Sequence, residues 1–125
     1  MEPTLRSQAT LAGVAVVEGF GYWGGRDVRV ELHPAEVDTG LVFIRTDLPG
    51  RPRIPARVEH RVEVPRRTAL AGGGARVEMV EHVLAALYGM QVDNCEICVN
   101  AEEMPKCDST SLATVKAQAT EDLQQ

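Results

Sequence analysis

The chain has 125 residues, 44% hydrophobic and 25% charged, with a formal net charge of -5. That length suits a single domain, residues 1–125, with a core of its own and no room for a second. The negative balance gives no electrostatic reason to seek nucleic acid or an anionic membrane, and aromatics at 4% argue against base-stacking platforms.

No segment approaches the run of about 18 apolar residues that spans a bilayer, so no membrane span is expected. The apolar stretch Val14 to Val17 is too short for a signal-peptide core. Three cysteines, an odd number, fit a reducing cytoplasm better than a disulfide framework. The expectation is a small cytoplasmic domain.

Leu5 to Val17 is a mildly apolar lead-in whose helix reading Gly13 interrupts. Gly19 to Gly25 reads as a glycine-punctuated strand and turn; a dinucleotide fingerprint would need a helix after it, and none follows. Val28 to Leu32 alternates strictly and predicts a half-buried strand ended by Pro34. Thr39-Gly40 then turns the chain into Leu41-Val42-Phe43-Ile44, a more apolar strand.

Asp47 to Pro55 holds three prolines and a glycine and predicts a loop, and Ala56 to Glu59 alternates again. Arg51, Arg53, Arg57, Arg61, Arg66 and Arg67 make this the basic stretch of the chain. A groove for phosphate or an acyl-nucleotide is one reading, since arginine reads phosphate bidentately. Arginines on the wet face of strands, with Glu59 and Glu63 between them, is the preferred one.

Gly72-Gly73-Gly74 is the tip of a hairpin, and it lacks the Lys-Ser/Thr ending of a nucleotide-binding loop. Glu78 to Met90 is the clearest amphipathic helix. Val80, Val83, Leu84 and Leu87 recur at the i, i+3, i+4, i+7 spacing of one buried face, with Gly89 where a C-terminal cap is expected. Glu81 and His82 near its start are a carboxylate beside an imidazole, the pairing a hydrolytic metal site requires: a ligand and a base for water. Taken bare, the pair is a weak signal and a solvated helix start is the preferred reading, because the macrodipole favours an acid there.

Asp93-Asn94 turns into Cys95 to Val99, a strand. Residues three apart on a strand point to opposite faces, so Cys95 and Cys98 are not expected to share a metal. Pro105 breaks the strand, and Asp108, Ser109 or Thr110 caps a last helix whose apolar face, Leu112, Val115 and Leu123, is thin. The polar tail from Thr120 is expected to fray. The fold class is α+β: a mostly antiparallel sheet with two helices packed on one face.

Several stretches together resemble the UDP-3-O-acyl-N-acetylglucosamine deacetylases of lipid A biosynthesis. They are Gly19-x-Gly21 through Gly25; Leu32-His33-Pro34-Ala35 with Asp38 to Asp47; Ile54-Pro55-Ala56; Arg67 to Leu70; Val80-Glu81-His82 through Leu87; Asp93-Asn94; and Glu103-Met104-Pro105 with Asp108. Order and spacing agree over roughly residues 8 to 113.

The resemblance implies a zinc amidase that removes the N-acetyl group from UDP-3-O-acyl-N-acetylglucosamine. His82 would be a zinc ligand and Glu81 the general base. It also implies one copy of a domain that occurs twice in the full enzyme, with the site between the copies and the other two Zn2+ ligands on the second. This chain resembles the first copy, and no second domain is expected in it. A second-domain polypeptide or self-association would then complete the site.

The chain departs from the family at Trp23, where a His is common, at Ser109, where a glycine is expected, and along the tail 114–125, which carries Thr114, Lys116 and Gln118. The alternative is a stand-alone remnant without catalysis, or a module binding a nucleotide-sugar or a protein.

Overall fold

The computed structural model of the chain describes residues 8–20, 27–57, 60–64, 67–78, 80–104 and 120–122. Among these the order is β1 (Ala9–Leu11), β2 (Ala15–Phe20), β3 (Asp27–Pro34), β4 (Leu41–Arg45), β5 (Arg53–Pro55), β6 (Arg61–Val64), β7 (Arg67–Gly72), β8 (Ala75–Glu78), α1 (Glu81–Gly89), β9 (Cys95–Val99) and β10 (Thr120–Asp122). The class is α+β, as expected.

Five strands form the main sheet in the order β2-β3-β9-β4-β5. The pairings β2–β3, β3–β9 and β4–β5 are antiparallel, while β4–β9 is parallel, with Phe43 opposite Ile97. The sheet is therefore mixed, its parallel pair made possible by the long crossover through the second sheet and α1. Alternation sets its faces. On β3, Val28, Val30 and Leu32 are buried while Asp27 and Arg29 are exposed, and β9 buries Cys95, Ile97 and Val99. Their inward side chains join Phe43, Ile54, Val80, Val83 and Leu87 in one contiguous core.

The second sheet is the antiparallel meander β6-β7-β8. Gly72 faces Ala75 across a two-residue turn, and Gly73 and Gly74 both take positive φ, 59° and 80°. That is the backbone a tight hairpin demands and glycine supplies without a Cβ penalty.

Three expectations are corrected. The stretch from Asp47 to Pro55 is not all loop, because Arg53–Pro55 is β5; Pro55 is tolerated there because β5 is an edge strand. Ala56 and Arg57 are irregular, and the next strand starts at Arg61. Thr120–Asp122 does not fray but pairs antiparallel with β1, since an edge strand offers a polar segment backbone partners that water alone otherwise supplies. Residues 105–119, where the second helix is expected, lie outside the described residues, so α1 is the one helix among those described. None of the described helical structure is long and apolar enough to cross a membrane.

A buried polar knot ties β1 into this frame. The Asn94 side chain accepts from the Gly40 N–H at 2.8 Å and donates to Gln8 Oε1 at 2.9 Å. Thr10 Oγ1 donates to the Asn94 carbonyl at 2.7 Å and accepts from the Ala35 N–H at 2.9 Å. Asn94 and Thr10 are buried, and their satisfied groups are what makes such burial affordable.

Candidate functional site at the start of the helix

The buried stripe Val80, Val83 and Leu87 fixes which way α1 faces. Leu84, expected in the same stripe, is half-buried. Val80 is the N-cap and makes no side-chain capping bond, and Glu81 is the acid of the first turn. The first amides of the helix thus lack the capping oxygen that Ser, Thr, Asp or Asn would provide.

Glu81 is half-buried, and its Oε2 is buried with no hydrogen-bond partner among the described residues. Leaving a buried acceptor unmatched costs about 1–3 kcal/mol, more when it is charged. The positive end of the helix offsets part of that cost. The backbone of His82 follows in the first turn, whereas its imidazole lies outside the described residues, as do Trp23, Asp108 and Ser109.

What holds the helix start is a clamp at the end of β8. The Glu78 N–H donates to the Glu102 carbonyl at 2.7 Å, and the Met104 N–H donates to the Glu78 carbonyl at 3.0 Å. Residues 102–104 therefore run parallel beside β8. The buried Glu78 carboxylate pairs with Arg76 at 2.7 Å. Behind the clamp, Arg45 is buried at 5% exposure. Its guanidinium grips Asp47 through two bonds, 2.9 and 2.7 Å, and donates a third to the Arg76 carbonyl at 2.7 Å. The Arg45 guanidinium holds the Asp47 carboxyl below its ordinary value.

Other candidates fall elsewhere. His33 lies at 3.0 Å from Glu31 on the solvent side of β3, and its bond, ahead of that from Arg29, keeps the Glu31 carboxyl below the usual range. His60 Nδ1 lies at 3.0 Å from the Ala71 carbonyl, packed against Gly72, where an added Cβ would come within 3.2 Å of it. Cys95 and Cys98 are free thiols that alternate in burial along β9, so they do not share a site, as expected. Burial pushes the Cys95 thiol up to about 12.

Of the basic stretch, Arg53 pairs with Glu96 at 2.9 Å across the outer sheet face, while Arg51, Arg57 and Arg61 are exposed. This is the wet-face arrangement; Arg66 and the Arg67 side chain lie outside the described residues. Among the described residues no three His, Cys, Asp or Glu groups gather to hold a metal.

The sequence pattern gave Arg45, Glu78 and Asn94 no role in a site or a buried polar contact. Arg45 ends a strand in which every residue is buried, and the available signal was its spacing of two residues from Asp47, which suits a bidentate pair.

The family model described as LpxC, UDP-3-O-acyl N-acetylglycosamine deacetylase, matches residues 8–125. The chain is 42% identical over 104 residues to the bifunctional enzyme LpxC/FabZ of Chlorobaculum tepidum, covering 83% of this chain and 22% of that one. It is 43% identical over 105 residues to the UDP-3-O-acyl-N-acetylglucosamine deacetylase of Anaeromyxobacter dehalogenans, covering 84% and 33%. To the protein of the same description from Hahella chejuensis it is 41% identical over 104 residues, covering 83% and 34%. The matched region thus spans between 22% and 34% of the length of these relatives.

Proposed function

Because the chain belongs to the LpxC family of UDP-3-O-acyl N-acetylglycosamine deacetylases, we propose that it is the first of two like domains of a zinc-dependent deacetylase. The reaction is hydrolysis of the acetamide of UDP-3-O-acyl-N-acetylglucosamine, an early committed step of lipid A biosynthesis. The observation that carries this reading beyond family membership is the buried Glu81 Oε2, without a partner among the described residues, at a helix start with no side-chain cap. An orphaned carboxylate oxygen costs stability and is kept where it has work to do.

In this reading Glu81 is the general base. It takes a proton from the attacking water as the C–O bond forms, then delivers it to the departing amine as the amide C–N bond breaks, leaving acetate and a free amino sugar. His82 would hold zinc through a neutral ring nitrogen. The metal, when bound, supplies Lewis acidity toward the amide carbonyl and the water. The orphaned oxygen of Glu81 fits a base that meets its partner only when metal, water and substrate are in place.

A catalytic zinc takes three protein ligands; with His82 as one, the other two would come from polypeptide outside these residues, whether a continuation of this chain, a separate chain or another copy.

Zinc titration tests this. The chain alone should bind zinc weakly. Mixed with a polypeptide carrying the remaining length of a relative, it should bind one zinc tightly, and His82→Ala should weaken that binding by about tenfold or more without lowering Tm. Tight binding indifferent to His82→Ala would overturn the assignment and leave a non-catalytic binding module as the better reading.

A further inference from the structure

We draw no further inference here: the strongest candidate, the hollow on the outer face of the main sheet where His33, Arg51, Arg53 and the half-buried Cys98 meet, carries nothing because Arg53 is already paired with Glu96 and no second observation beside the lone thiol points to a ligand.

Discussion

At the scale of single residues, the buried guanidinium of Arg45, paired with the exposed Asp47, and the orphaned oxygen of Glu81 are opposite solutions to the same problem. Arg45 has Asp47 and the Arg76 carbonyl, so its charge is matched. Asp47→Asn leaves that guanidinium short of its counter-charge, and because Asp47 is exposed to screening solvent it should cost about 1 kcal/mol, read as a lower urea midpoint. The pH dependence follows from the sign of the shift. Asp47 titrates below its ordinary value of 3.8 when folded. Its contribution is therefore complete above that value and is lost as pH falls through the depressed one. The parent should lose stability down that limb more steeply than Asp47→Asn; parallel limbs would show that the pair contributes nothing there. Cys95 gives a separate check. With its thiol pushed up to about 12 by burial, it should resist iodoacetamide at pH 8 in the native protein and react only on unfolding. Rapid native alkylation at Cys95, mapped by mass spectrometry, would contradict the buried strand.

At the scale of elements, the helix shows how local signals compete. Gly89 looks like the natural stop, yet it lies inside the last turn, and the left-handed residue is Gln91 at φ 60°. The Val92 N–H donates to the Leu87 carbonyl at 2.9 Å and the Gln91 N–H to the Tyr88 carbonyl at 3.0 Å. This is the Schellman pattern, closed by the apolar contact it favours, since both Val92 and Leu87 are buried in the core. Tertiary burial of Val92 therefore decides where the helix ends, and a glutamine bears the left-handed strain. Gln91→Gly should relieve that strain and stabilise the domain by about 0.5–1 kcal/mol, a rise in Tm of a few degrees. A fall in Tm would mean that the Gln91 side chain holds the turn. The glycine hairpin is the contrasting case, because there Gly73 and Gly74 sit where the turn needs them.

At the scale of the whole molecule, strands with clear alternation, such as Val28 to Leu32, and the apolar face of α1 were legible because burial on one face leaves a period in the residues. The bonds of Arg45 to Arg76 and of Asn94 to Gly40 were not, because these partners are 31 and 54 residues away and local spacing, which does show Asp47 beside Arg45, carries no trace of them. The strand Thr120–Asp122 escaped for the same reason: its partner lies at the other end of the chain. Glu81 was legible as a residue type on a helix, while its buried, unmatched oxygen emerged only from packing. In the proposed function this oxygen is the proton acceptor of an amide hydrolysis which the domain performs only in company. The most direct measurement is acetate release from UDP-3-O-acyl-N-acetylglucosamine with zinc present. It compares the chain alone, the chain mixed with the complementing polypeptide, and the mixture carrying Glu81→Gln. The expected result is no appreciable turnover alone, turnover in the mixture, and a loss of about 10²–10⁴-fold with Glu81→Gln at unchanged zinc content. Full activity of the Glu81→Gln mixture would contradict it.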